Sequence, residues 1–445
     1  MTDLLDTCEL AEKAAIRAGA DEAEAYASLE KEVEVFIERN DVKLGKAHSK
    51  ATLGVRLFKK KSMGFAVVND LSANSIREAV SNAVKIARTS PADRFNALPL
   101  NSKIKLLGGI YDRKAENFGP KDTLEEAVLM LQTAKDYDER VTVDSGAFNS
   151  TLVSHAIRNS NGSEVSEKIS VFSWAIMGMA VDGKEVSSFD YQTGGTHNVK
   201  EIDAEKSAKE FAINIVKSLG ARKVESFKGV VLFSPDAVAE VIVSPIIASS
   251  NANSVQKGMS KFASKLGKKI ADENLTIIDD GTFVKGLAAA SFDREGVPHR
   301  QLKVVENGIL RSFIHNTYTA TKDGVKSTGH ATGGARNSPA VGPTNVIIPE
   351  GSENLNSMIS EIRKGLLVTR FSGNVSSVSG DFSGVVKGGF LIENGQKKFP
   401  VKETLIAGNI YEKISHIESI SKERKMVGTS LLPYLCIDNI SITAG

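Results

Sequence analysis

Ser327-Thr328-Gly329-His330-Ala331 opens a loop of small and polar residues that runs on to Pro343-Thr344-Asn345. Apolar segments lie on both sides of it. Upstream stand Asp293-Arg294-Glu295-Gly296-Val297-Pro298 and then Asn307-Gly308. Asn-Gly reaches the positive φ values of a tight two-residue turn at little cost, so a hairpin is predicted there. The loop is too long for a plain connector. Its glycines would let a peptide backbone come close and pair with it. Ser327, Thr328, Gly329, His330 and Asn345 are therefore candidate substrate-binding residues, with Asp293 as their charged neighbour. The same composition also suits a purely structural crossover.

Further out, Leu53-Gly54-Val55-Arg56-Leu57-Phe58 is followed by Gly64-Phe65 and Asn69-Asp70-Leu71-Ser72. Toward the C-terminus come Gly380-Asp381-Phe382-Ser383, Ile392-Glu393-Asn394-Gly395-Gln396 and Ala407-Gly408-Asn409. Taken in order, these segments resemble the TldD/PmbA (TldE) family, and within it the PmbA/TldE branch. Its members are known as peptidase subunits and were once called modulators of DNA gyrase. In that family an Asp-x-x-Gly-x-Pro segment precedes a hairpin, a helix and a Ser-Thr-Gly loop that ends near an Asn.

Composition narrows the partners. The 56 basic and 54 acidic residues leave a net charge of +2. That balance offers no long-range attraction to nucleic acid or anionic lipid, so neither is an expected partner. No apolar run is long enough to span a bilayer. The acidic start Met1-Thr2-Asp3-Leu4-Leu5-Asp6 lacks the charged and apolar regions of a secretory signal. Cys8 and Cys436, the only cysteines, both fall in apolar patterns, which suits a reducing compartment. A cytoplasmic protein of two or three domains is expected.

Periodicity supplies the elements. Leu4, Cys8, Ala11, Ala15 and Ala18 recur at helical spacing, whereas Val33, Val35 and Ile37, and then Leu53, Val55 and Leu57, alternate as in strands. Ile76, Val80, Val84 and Ala87 predict a second helix with a capping box at Ser75 and Glu78. A long connection over 90–120 precedes a helix from Thr123, capped with Glu126. Between Val141 and Tyr191, turns at Asn161-Gly162 and Asp182-Gly183 divide an antiparallel meander. A helix from Asp203 and the polar run after Gly220 close the first half. Ser234-Pro235 starts another helix, and a last one is expected near 354–363. An α+β fold is expected: an N-terminal α/β domain over residues 1–220, with an antiparallel sheet and packed helices, and a mainly-β C-terminal domain over 221–445 with a few helices. Glu-Asn-Gly turns at Glu306 and Glu393 share one offset with the pairs Thr317/Thr404 and Ala320/Ala407. This is either a decayed repeat or a coincidence of turn signals.

The resemblance also implies where a metal would be. The zinc-bearing TldD branch has a His-Glu-x-x-x-His helix ahead of a Lys-Gly-x-Ser-x-Phe-Ala segment. Its histidines bind zinc and its glutamate activates the bound water. Here that segment is Lys257-Gly258-Met259-Ser260-Lys261-Phe262-Ala263. Counting back without gaps puts the motif at Val243, Ser244 and Ala248, which cannot replace His, Glu and His. A Cys ligand of that branch has no counterpart in residues 421–430. No pair of histidines has the spacing of a helical metal site, although His299, His315 and His330 could converge with Asp293 and Glu295. No cofactor, metal or catalytic residue is therefore expected. By resemblance, the chain would be a non-catalytic TldE/PmbA-like subunit of a zinc metallopeptidase complex that degrades or processes unfolded peptides. It would pair with a TldD-type zinc peptidase subunit as a heterodimer, or with itself. The alternative is an independent homodimeric hydrolase with a different active site in the C-terminal domain.

Overall fold

The computed structural model describes residues 3–445, without the side chain of Leu44. Helix α1 (Leu4–Arg17), strands β1 (Glu22–Glu38), β2 (Asp41–Lys59) and β3 (Ser62–Val68), and helix α2 (Ala73–Thr89) come first. After the long connection follow α3 (Pro120–Tyr137), β4 (Val141–Asn159), β5 (Glu164–Asp182), β6 (Glu185–Val186), β7 (Asp190–Thr196) and α4 (Ala204–Lys217). The strands form one sheet in the order β3-β2-β1-β4-β5. Both β6 and β7 pair with β5, and all pairings are antiparallel.

Alternation along the strands decides the two faces. Ala23, Ala25 and Ala27 of β1 lie opposite Leu57, Val55 and Leu53 of β2, and together they pack on α1 and α2. Further along the same face, Val35, Phe148, Phe172 and Trp174 pack on α3 and α4. Small residues let the helices come close: a Cβ on Gly64 would meet the Ala83 carbonyl of α2 at 1.9 Å. The opposite face carries Tyr26 and Ile157, which pack against Phe292 and Ala335 of the C-terminal half.

That half is built on β8 (Phe227–Phe233), which runs parallel to Lys364–Val368 and antiparallel to Ser430–Ala444. Val231 and Phe233 face a core shared with Val238, Val241, Ile242 and Ile246, while Leu232 faces the helix Leu355–Glu361. Burial on both sides explains the unbroken apolar run. The α+β class is as expected, with helices on the N-terminal sheet and a mainly-β second half.

Some local expectations are corrected. The N-cap of α2 is Ser72, whose Oγ accepts from Ser75 N–H at 3.3 Å, so the helix starts before the predicted Ser75 box. α3 starts at Pro120, not Thr123. Proline has no N–H to lose in a first turn, and Asp122 accepts from Gly119 N–H at 2.7 Å. Both Asn-Gly turns form, with positive φ at Asn307, Gly308, Asn394 and Gly395. They do not head a repeat: Thr317 and Ala320 lie in the helix Thr317–Asp323, Thr404 and Ala407 in the strand Thr404–Asn409.

Candidate functional site

The segment 293–298 is a tight turn closed by its own aspartate. Asp293 Oδ1 accepts from the N–H groups of Glu295 (2.8 Å) and Val297 (3.0 Å), and Oδ2 accepts from Ala331 N–H (2.9 Å). Burial, then the Glu295 charge, raise the proton affinity of Asp293, and these N–H donors pull against them. The loop after it is equally inward. Thr328 Oγ1 accepts from His315 N–H (2.7 Å) and lies 2.9 Å from His330 Nδ1, while His330 Nε2 lies 3.2 Å from Asp279 Oδ1. This line has the order of nucleophile, base and orienting carboxylate. All three residues are buried and none borders the cavities described below.

The other candidates are held in the same way. Asn345 Oδ1 accepts from Ala288 N–H (3.0 Å) and its Nδ2 donates to the Asp280 carbonyl (3.0 Å). Ser327 Oγ donates to the His315 carbonyl (3.3 Å). Gly329 sits at φ +77°, where a Cβ would meet the Pro298 carbonyl at 2.7 Å. The peptide groups that these side chains hold are the protein's own. Desolvation, then nearby His330, push His299 down to about 4. Among the described residues, His299, His315, His330, Asp293 and Glu295 do not bring ligand atoms together in threes.

The turn also ties the two halves together through charge. Arg56 Nη1 donates to Glu295 Oε1 (2.9 Å) and Nη2 to Glu24 Oε2 (2.7 Å), and Arg294 Nη1 donates to Glu24 Oε1 (2.9 Å). All four residues are buried. Burial opposes ionisation of Glu24, but Arg56 and Arg294 outweigh it and hold the carboxyl below its ordinary range. Sequence reasoning missed this network. Its one signal was a pair of charged residues, Glu24 and Arg56, inside strands of small and apolar residues.

Ser234 caps a helical stretch that starts at Pro235–Val238, makes a π-turn at Ala239–Val243 and continues over Ser244–Ser250. Pro245 accounts for the bulge, because it offers no N–H to the carbonyl four residues back and its ring crowds that carbonyl. Ser244 N–H reaches back instead to the Ala239 carbonyl, so residues five apart stack. Val243 is buried in the core, Ser244 is exposed and Ala248 half-buried. Asp236, Ala239 and Glu240 face a groove of about 780 Å³ between the halves. Its other walls include Trp174, Tyr191 and Gly194 of the first sheet, and Met426, Val427 and Gly428 at the turn of the C-terminal hairpin.

A second compartment of about 850 Å³ shares Trp174, Gly194 and Asp236 with the groove. A Cβ on Gly194 would meet the Trp174 ring at 2.4 Å, so glycine keeps this wall open. Lys425 Nζ bridges the halves, donating to Gln192 Oε1 (2.6 Å) and Asp236 Oδ2 (3.3 Å). Desolvation raises the proton affinity of Asp236, with Lys425 pulling it back, and desolvation likewise raises that of Glu240.

Three domain models of one family match in order along the chain. PmbA/TldA metallopeptidase domain 1 covers residues 23–87, the central domain 113–223 and the C-terminal domain 227–444. The chain belongs to the PmbA/TldD metallopeptidase family. Metalloprotease PmbA of Escherichia coli O157:H7 is 28% identical over 430 residues, spanning 94% of this chain and 92% of that protein. An uncharacterized protein of Methanocaldococcus jannaschii is 28% identical over 383 residues, or 85% and 87% of the two chains. The crystal structure of TldE from Thermococcus kodakarensis has the same fold, with a TM-score of 0.91 over 99% of both chains at 24% identity.

The family name implies a metal, and the residues can be tested against it. The helix after Ser234 and residues 421–430, the two segments tied to zinc by resemblance, do meet at the groove. No His or Cys lines either compartment. Of the carboxylates, the groove itself has Asp236 and Glu240, and Asp236 is already held by Lys425. Zinc sites of this family type need imidazole and thiolate donors, so the groove does not fit the ion. The π-turn brings a second set of positions with the same spacing to the groove side. The spacing of His-Glu-x-x-x-His falls on Ala239, Glu240 and Ser244, one turn before Val243, Ser244 and Ala248. In that set Glu240 faces the groove, and Ala239 and Ser244 carry no imidazole.

Proposed function

We propose that this chain is the non-catalytic PmbA/TldE-type member of a two-subunit peptidase, and that its groove holds an unfolded peptide for a zinc-bearing TldD-type partner. The observation that carries the proposal is the convergence of the π-turn helix and the C-terminal hairpin on an open groove without zinc donors. The groove suits an extended chain. Strand β7 borders it and pairs only with β5 among the described strands, which leaves an edge for a peptide backbone. Trp174, Met177, Tyr191 and Leu287 offer apolar contact, and Glu240 places a carboxylate on the same wall. The volume is within the usual range for ligand sites, roughly 300–1,000 Å³. Two free buried cysteines fit a cytoplasmic setting. No helix among the described residues is long and apolar enough to cross a membrane. The test is reconstitution with a zinc-bearing TldD-type relative. Cleavage of an unfolded peptide is expected only from the pair. Cleavage by this chain alone at the rate of the pair would overturn the proposal.

One observation favours the second reading, an independent hydrolase. Asp236 and Glu240 share one helical face, border one groove and both have raised proton affinity, as an acid–base pair would. Under that reading the chain alone hydrolyses peptide, and Glu240→Gln abolishes the activity.

A further inference from the structure

On the open part of the N-terminal sheet, Glu32 of β1 lies directly opposite His48 of β2, and Glu30 lies opposite Lys50. Residues two apart on a strand share a face, so Glu30, Glu32 and His48 point the same way. One ligand atom from each lies within 4.8 Å of the others, the one such trio among the described residues. His48 Nε2 is 2.9 Å from Glu32 Oε2, yet the two are not aligned as donor and acceptor, and Nε2 has no hydrogen-bond partner. An imidazole nitrogen beside two carboxylates, with no hydrogen bond joining them, is a donor set that suits a cation. The nearest competing charge is Lys50, whose Nζ stands 3.8 Å from Glu30 Oε1. Across the sheet, a cavity of about 660 Å³ lies on the helix-bearing face among Leu29, Lys31, Val33 and Phe118, and Glu32 and His48 reach its edge. It shares no lining residue with the groove between the halves.

We infer that Glu30, Glu32 and His48 form a binding site for a divalent ion of the zinc class. The donor set decides the class. One imidazole with two carboxylates suits zinc, whereas calcium and magnesium take oxygen donors only. Three protein ligands leave one tetrahedral position open for a water or a small anion. The site is independent of the groove, which lacks the donors. It gives this chain a metal of its own although the helix after Ser234 carries no imidazole or thiol.

The test is equilibrium dialysis of the chelator-stripped chain against Zn²⁺, with elemental analysis. One zinc per chain is expected. His48→Ala and Glu32→Gln should each weaken binding by about tenfold or more. Lys50→Gln, which removes the competing cation, should bind at least as tightly as the parent, and excess Ca²⁺ should not displace the zinc. These side chains are partly exposed, so thermal unfolding without metal should be unchanged and serves as the folding control. No bound zinc, or binding unaffected by His48→Ala, overturns the inference.

Discussion

Arg56 and Glu295 are 239 residues apart in the chain and 2.9 Å apart in the fold. Arg56 comes from the face of the N-terminal sheet that the helices leave open. Glu295 comes from the turn that shapes the small-residue loop, and its other oxygen accepts from Thr317 N–H at 2.8 Å. With Glu24 and Arg294 the pair makes a buried set of two cations and two anions that fixes how the halves meet.

Removing one charge from such a set leaves the others without compensation. Glu24→Gln should destabilise the protein by about 3–5 kcal/mol, the usual cost of breaking a buried ion pair from one side. Chemical denaturation at neutral pH measures it. A variant as stable as the parent would show that the network carries no energy.

Acid should act on the same residue. The folded pKa of Glu24 is depressed below its ordinary value of 4.5. Its contribution is therefore fully present above that value and is lost as pH falls through the folded pKa. The stability gap between parent and Glu24→Gln should narrow in strong acid. A gap of constant size from pH 7 into strong acid would contradict this.

Gly329→Val should fail through folding rather than through blocked substrate access. The residue is at φ +77° and a Cβ would press on the Pro298 carbonyl. A loss of more than about 1 kcal/mol is expected, because both the backbone conformation and the contact are incompatible. Ser327→Ala, which gives up two long bonds of 3.3 Å each, should be nearly neutral. Equal melting temperatures for parent and Gly329→Val would refute the packing.

The π-turn makes a prediction about register. In a His48→Ala background, Ala239→His with Ser244→His should create zinc affinity beside Glu240, because residues five apart stack there. Val243→His with Ala248→His should instead disrupt the core that buries Val243. Zinc dialysis and thermal melts of the two double variants separate the frames, and zinc bound only by the second pair would reverse the assignment.

Tyr191 tests the groove. It is 42% exposed and borders the cavity, so truncation should spare the fold. Tyr191→Ala should weaken binding of a labelled unfolded peptide by about tenfold, as for an aromatic contact worth more than 1 kcal/mol. Unchanged anisotropy titrations would place the peptide elsewhere.

Much of the architecture was legible in the chain because it depends on local chemistry. Alternation at Leu53, Val55 and Leu57, the Asn161-Gly162 turn and the Ser234-Pro235 start each act within a few residues, and each is where it was read. Helix starts slipped by about three residues where Ser72 or Gly119-Pro120 competed with the predicted cap. The partners of polar side chains were not legible. Thr328, His330 and Asn345 have the same composition whether they bind a peptide or their own backbone, and only packing against Asp279, Ala288 and His315 turned them inward. The groove likewise exists only once β7, the helix after Ser234 and the C-terminal hairpin meet. Within that helix, Glu240 rather than Ser244 is the residue that lines the groove. Backbone conformation is set by neighbours in sequence. Burial, charge pairing and the shape of a cavity are set by segments hundreds of residues apart, and these were decided by the tertiary structure alone.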